Sequence, residues 1–373
     1  MGKVHGSGQN KPGLNRPRVQ LETQGYLHKT TDAPSTMPLL DILRNIANEL
    51  DGDDDDDFSG TVEPYSLFCA RDDVTLMEKA IKTEGGGAIA IIDLLLKRNC
   101  EQRQMVKKAY QESSGTALDK DLVAVLSGEM KDLALALLMT PVQYDAFLLR
   151  EAMEGWGTDE EILTEILVSR TNDEIREIKK VYKEEYQRDL ETDLDKENRG
   201  HYQDALLNLC KGTRSEEQQA DKDLADSDAQ TLFNSGEDRA GTNDTVFIHI
   251  FTTRSNAELR KIFQRYSKHG DGEMAEVLED ELSGDVEDCL IAIAKCAMNK
   301  PSFFAEKLHS AMEGYGTRTK TLIRVLVTRA ERDLKKVMKE YKKMYEKSLQ
   351  QDILAESEGD FETALLTLCG KDD

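Results

Sequence analysis

Three short segments of the chain carry residue types that could bind a hard cation. Met153, Glu154, Gly155, Trp156, Gly157, Thr158, Asp159 and Glu160 run in one block, and Met312, Glu313, Gly314, Tyr315, Gly316 and Thr317 in another. Each sets a large aromatic between two glycines. A looser version runs from Gly236 through Arg239 to Gly241 and Thr242. Forty residues after Gly157, Gly241 and Gly316 stand Glu197, Glu281 and Glu356. Calcium takes six to eight oxygens at about 2.3–2.6 Å, many of them carbonyls. Glycines let a tight loop turn successive carbonyls outward, and a carboxylate from a later loop of the same unit could close the site. One acid and a few neutral carbonyls make a weak site, on the order of 10⁻⁴ M. A lipid phosphate or carboxyl oxygen filling the open position would tighten it.

The blander reading of such a loop is a turn followed by a helix cap. Thr158 and Glu161 have the spacing of a capping box. That reading accounts for one loop. It leaves unexplained why glutamate recurs at the same distance three times, and why Trp156 and Tyr315 sit between the glycines. A fourth unit serves as an internal control. Its loop reads Thr83, Glu84, Gly85, Gly86, Gly87, Ala88, and forty residues after Gly85 stands Val125. The acid is lost where other landmarks persist, so no strong calcium site is expected in this first unit.

The landmarks define what must position the loops. Thirteen residues after Gly85, Gly157, Gly241 and Gly316 stand Arg98, Arg170, Arg254 and Arg329. Twenty-five residues on stand Tyr110, Tyr182, Tyr266 and Tyr341, and forty-three on stand Gly128, Gly200, Gly284 and Gly359. The chain is therefore four homologous units of about 70 to 75 residues. Apolar residues follow each origin at i, i+3, i+4: Ile91, Leu94, Leu95; Leu163, Ile166, Leu167; Phe247, Ile250, Phe251; Leu322, Val325, Leu326. That period belongs to a helix with one buried face. Units so short must stack to bury those faces. The reading is an all-α protein with the divisions 1–58 (tail, with an amphipathic helix at 37–50), 59–139, 140–211, 212–298 and 299–373. The polar span from Lys211 to Ala229 reads as a hinge between two halves.

Bulk composition fits this reading. Of 373 residues, 72 are acidic and 49 basic, a net charge of −23. Such a body repels nucleic acid and acidic lipid alike. Bound calcium would supply the missing positive charge at an acidic membrane, so a chelator should release the protein. The six cysteines form no CxxC pair and read as small core residues in a reducing, cytoplasmic setting. Neither a signal-peptide core nor an apolar stretch long enough to span a bilayer is visible.

The Gly-x-Gly-Thr-Asp-Glu loop, the distant acid and the repeat length resemble the annexin family from Ser59 onward. Stretches such as Asp223 to Ala229, Thr252 to Ser255 and Lys300 to His309 resemble its lipocortin-I type, related to the calpactin branch. The resemblance implies four stacked repeats of about five helices in a curved disc, preceded by a flexible N-terminal tail. It implies calcium-dependent binding to acidic phospholipid, roles in membrane aggregation, traffic or repair, and inhibition of phospholipase A2 by substrate masking. It also implies no catalysis. Carried onto this chain, the calcium ligands would be Met153, Gly155, Gly157 and Glu197; Gly236, Arg239, Gly241 and Glu281; and Met312, Gly314, Gly316 and Glu356. Thr158 and Glu160 match a secondary metal site; in the third and fourth units the Asp-Glu pair is replaced by Asn243-Asp244 and Arg318-Thr319. Trp156 and Tyr315 would face the bilayer interface.

Ahead of the repeats, Leu39, Ile42, Leu43 and Ile46 line one face of a short helix within residues 35–50. It reads as a ligand for a small dimeric EF-hand protein, or as a helix folded onto its own core, or as both in turn. Asp51 to Asp57 holds six aspartates but fails the EF-hand pattern, since Asp56 and Val62 take the glycine and glutamate places; it reads as a solvated spacer. Two rivals stand beside the calcium reading. An enzyme would show an elbow, P-loop, zincin or Rossmann motif, and none is present. A purely protein-binding solenoid would act without regard to calcium.

Overall fold

A computed structural model describes residues 59–83, 87–155, 157–237, 244–266, 278, 282–314 and 316–370, which form eighteen helices and, among the described residues, no strand. The amphipathic segment with Leu39, Ile42, Leu43 and Ile46, and the aspartate run, lie outside them.

The first repeat holds α1 (Ala70–Ile81), α2 (Gly87–Leu96), α3 (Cys100–Ser114), α4 (Leu118–Val125) and α5 (Gly128–Leu138). The second holds α6 (Pro141–Ala152), α7 (Glu160–Ser169), α8 (Asn172–Tyr186), α9 (Leu190–Glu197) and α10 (Gly200–Cys210). The third contributes α11 (Lys222–Glu237), α12 (Asp244–Thr253), α13 (Asn256–Tyr266) and the first part of α14 (Asp285–Met312). The rest of α14, with α15 (Thr319–Arg329), α16 (Leu334–Tyr345), α17 (Leu349–Glu356) and α18 (Gly359–Cys369), makes the fourth. Helix α14 breaks at Asn299, where φ is −154° and ψ 95°. The Asn299 side chain accepts from Ser302 N at 3.0 Å, so it caps the helix that restarts beyond it, with Pro301 in the first turn.

The recurring landmarks have structural jobs. Every residue of the four apolar triplets is buried. Arg98, at the end of α2, grips Asp73 of α1 at 2.6 and 2.8 Å, and Arg170 grips Asp145 of α6 at 2.7 and 2.8 Å. Arg254 does the same with Asp228, at 2.6 and 3.2 Å. The tyrosines tie the third helix of a repeat to its fourth: Tyr110 donates to Asp121 at 2.9 Å, Tyr182 to Asp193 at 2.8 Å and Tyr341 to Asp352 at 2.6 Å. Gly128, Gly200, Gly284 and Gly359 all have φ between +56° and +70° where the chain enters the last helix of a repeat, a conformation that favours glycine.

Contacts between repeats are charged as well as apolar. Arg324 of α15 meets Glu165 of α7 at 2.9–3.1 Å, both side chains almost fully buried. Arg103 pairs with Glu331, joining the first repeat to the fourth. Two expectations fail here. The Lys211–Ala229 span is no free hinge. Arg214 and Asn172 exchange hydrogen bonds at 2.9 and 3.1 Å, Arg176 reaches Gly212 O at 2.8 Å, and Ser215 N reaches Thr253 O at 2.8 Å. Its second half is already helix, with Asp221 accepting from Asp223 and Leu224. Its backbone is thus tied to α8 and α12, while most of its side chains stay exposed. The cysteines also divide: Cys210, Cys289, Cys296 and Cys369 are core residues, whereas Cys69 is exposed and Cys100 half-buried.

Candidate functional site

The loops of repeats two and four share one construction in their described residues. Helix α6 ends at Ala152, and Asp159 N returns to Ala152 O at 2.9 Å, closing the loop on the helix that made it. In the fourth repeat Arg318 N returns to Ala311 O at 2.8 Å. Gly155 and Gly157 have φ of +112° and +93°, and Gly314 and Gly316 have +96° and +87°. A side chain at these positions would be strained, so the glycines are needed for the turn itself. Among the described residues, none donates a hydrogen bond to the carbonyls of Met153, Gly155 and Gly157 or of Met312, Gly314 and Gly316.

The distant acid is brought to the loop by the threonine that follows the second glycine. Thr317 Oγ1 donates to Glu356 O at 2.9 Å, and Thr158 Oγ1 approaches Glu197 O at 3.5 Å. Glu197 and Glu356 are the last residues of α9 and α17, and both are exposed. The same role for threonine was open to sequence reading, since Thr158, Thr242 and Thr317 all follow an origin glycine. In the first repeat, Val125 ends α4 and is 45% exposed at the corresponding place.

Asp159, not Thr158, caps α7, accepting from Ile162 N at 3.1 Å. Thr158 Oγ1 lies toward Glu197 O at 3.5 Å, and Glu161 faces another repeat: it meets Lys307 at 3.2 Å and Arg318 at 3.1 Å. The expected capping box is therefore absent, because a tertiary ion cluster competes for its glutamate. Burial alone would raise the Glu161 pKa; Lys307, Arg324 and Arg318 outweigh it and hold the carboxyl below the ordinary range. Glu160, matched to the secondary site, has its carbonyl engaged by Tyr202 Oη at 3.0 Å.

Gly236 stands in the last turn of α11. Its expected partners Arg239, Gly241 and Glu281 lie outside the described residues, as do Trp156 and Tyr315. Among the described residues no three acidic, histidine or cysteine side chains gather into a metal cluster. A cation at these loops would be held chiefly by neutral carbonyls with one acid, a donor set that suits calcium and not zinc or copper.

An annexin family model matches residues 72–137, 144–209, 227–293 and 303–368, once per repeat. The chain belongs to the annexin family. Bovine annexin A1 is 52% identical over 311 residues, covering 83% of this chain and 90% of that protein. Human annexin A1 is 51% identical over 309 residues, covering 83% and 89%. Among solved structures, annexin III superposes with a TM-score of 0.82 at 39% identity, over 84% of this chain and 98% of that one. Annexins are non-enzymatic proteins that bind calcium and phospholipid, and membership places this chain among them. Among the described residues, no helix is long and apolar enough to cross a membrane.

Proposed function

We propose that this annexin docks on acidic phospholipid through calcium held in the loops of repeats two, three and four. Met153, Gly155, Gly157 and Glu197 would hold one ion, and Met312, Gly314, Gly316 and Glu356 another. Gly236, Arg239, Gly241 and Glu281 would hold a third. Calcium supplies positive charge and an open coordination position for a headgroup oxygen. In repeats two and four the protein supplies loops turned by positive-φ glycines, carbonyls that no described residue engages, and one carboxylate per site. The observation that carries the reading is the threonine bond from loop to acid, 2.9 Å in repeat four. It couples two segments 39 residues apart in the chain.

Repeat one, with Val125 in the acid's place, would bind weakly or not at all. Trp156 and Tyr315 would enter the bilayer interface. The finer expectations are membrane aggregation, traffic or repair, masking of lipid from phospholipase A2, a cytoplasmic resting place, and recruitment of a small dimeric EF-hand protein by residues 35–50. They rest on the family resemblance together with the sequence pattern.

Co-sedimentation with phosphatidylserine and phosphatidylcholine vesicles, with calcium and with chelator, tests the reading. The expected result is calcium-dependent pelleting with the acidic lipid only, lost in the Glu197→Gln, Glu281→Gln, Glu356→Gln triple variant. Equal pelleting of the variant and the parent would remove the proposal. Binding indifferent to calcium would favour a protein-binding solenoid.

A further inference from the structure

Helix α16 departs from the charge of the rest of the molecule. In a chain with a net charge of −23, residues 332–347 carry Arg332, Lys335, Lys336, Lys339, Lys342, Lys343 and Lys347. Arg332 pairs with Glu174, Lys347 lies 3.6 Å from Asp352, and Glu340 turns away to accept from Ser302 at 2.9 Å. Lys335, Lys339 and Lys342 follow one another at i, i+4, i+7 and so share one helix face. All three are exposed, and among the described residues none has a side-chain partner. Like charges one turn apart repel, so the stripe is unfavourable until an anion covers it. Leu334, Val337 and Tyr341 bury the opposite face, which fixes the stripe outward.

The first described residues are tied to the start of this helix. Ser59 N donates to Arg332 O at 3.2 Å, Lys335 N donates to Ser59 O at 2.9 Å, and Thr61 N donates to Ala330 O at 2.7 Å. Phe58 precedes this anchor, and before it come Asp51, Gly52 and then Asp53 to Asp57. Asp57 is two residues from Ser59, within about 7 Å of it at the full reach of the backbone. A seven-residue run spans up to about 25 Å extended, enough to cover the roughly 18 Å of a 12-residue helix. The anchor also sits at the positive end of the α16 dipole, whose N-cap residue Asp333 makes no side-chain cap bond.

We propose that the Lys335, Lys339 and Lys342 stripe is a docking surface for an acidic peptide, and that its occupant is the chain's own Asp51–Asp57 run. Charge, reach and point of attachment all agree on that segment. Tethering makes the encounter intramolecular, so the run outcompetes free acidic peptides without needing high intrinsic affinity. The aspartates are then a counter-charge for the basic helix.

Zero-length carbodiimide coupling of carboxylates to lysines in the full chain, without calcium and at low salt, tests this. Peptide mapping should recover 51–57 joined to Lys335, Lys339 or Lys342. The pairs should be lost at about 1 M salt, where screening acts within about 3 Å, and lost when the six aspartates become asparagine. A fluorescent hexa-aspartate peptide should bind that asparagine variant and not the parent, and binding should vanish in Lys335→Gln, Lys339→Gln, Lys342→Gln, whose fold is checked by circular dichroism. Coupling of the run to lysines elsewhere in equal yield would overturn the proposal, as would pairs that persist at high salt. Calcium-free binding of a single-stranded oligonucleotide by parent and asparagine variant alike would also overturn it, since the stripe would then be open to another polyanion.

Discussion

The guanidinium of Arg329 lies over the ring of Phe304, 4.4 Å from its centroid, where the first two repeats set an aspartate against the equivalent arginine. Asp73, Asp145 and Phe304 all stand twelve residues before their origin glycines. Having lost that carboxylate, Arg329 turns to Asp333, four residues on, at 2.6 Å. One buried arginine is thus paired in two ways: by a fork of hydrogen bonds to an aspartate of the first helix, or by an aromatic face plus a counter-charge from the next segment.

This difference should appear in stability. Asp145→Ala leaves Arg170 buried without its carboxylate, and breaking a buried pair in this way costs about 3–5 kcal/mol. Asp333→Ala leaves Arg329 the Phe304 face and should cost about 1–2 kcal/mol. Urea unfolding midpoints compare them; equal losses would mean that the ring does not substitute for the acid.

The Glu165–Arg324 pair joins the second repeat to the fourth with both side chains almost fully buried. Arg324→Met should cost about 3–5 kcal/mol, because Glu165 is left charged and unpaired. Adding Glu165→Leu should recover most of that loss, since an apolar pair of similar volume avoids the desolvation of two ions. Thermal unfolding of the single and double variants decides it.

At the loops, Glu356→Gln should raise the calcium needed for half-maximal vesicle binding about tenfold, which is about 1.4 kcal/mol. The unfolding midpoint should not move, because the side chain is exposed. Thr317→Ala should raise the requirement by less, through loss of the 2.9 Å bond to Glu356 O. Thr158→Ala should do less still, its bond being 3.5 Å.

Alkaline solution should unfold the protein within a definable window. Burial, aided by hydrogen bonds to Asp121 and Asp193, pushes Tyr110 and Tyr182 up to about 12 from 10.0. Burial also pushes Cys210, Cys289 and Cys369 up to about 12 from 9.0. These groups are neutral when protonated, and the unfolded chain releases their protons first. Stability is therefore fully present below about pH 9 and is lost as pH rises through the folded values near 12. Far-ultraviolet dichroism against pH would follow it. In the same window thiol reagents should reach Cys210, Cys289, Cys296 and Cys369, whereas Cys69 reacts with native protein at neutral pH.

Much of this molecule was legible in its sequence because the signals are local and repeated. Helical periodicity needs only neighbours three and four residues away, and four copies separate pattern from accident. The loop glycines were legible because a positive φ restricts the residue type. The acids at Glu197 and Glu356 were legible because they recur at a fixed distance. Their coupling through Thr158 and Thr317 had a signal too, the threonine after each origin glycine. Other features were decided only when the chain folded. Whether Glu161 caps its own helix or meets Lys307 and Arg318 depends on which charges a different repeat brings near, more than 140 residues away. The polar Lys211–Ala229 span reads as a hinge until Asn172 and Thr253 supply backbone partners. The anchoring of Ser59 on α16 joins residues far apart along the chain and has no trace in local pattern. Propensity and periodicity are short-range properties, whereas the pairing of a charge or a carbonyl is settled by whatever the tertiary fold places within about 3 Å of it.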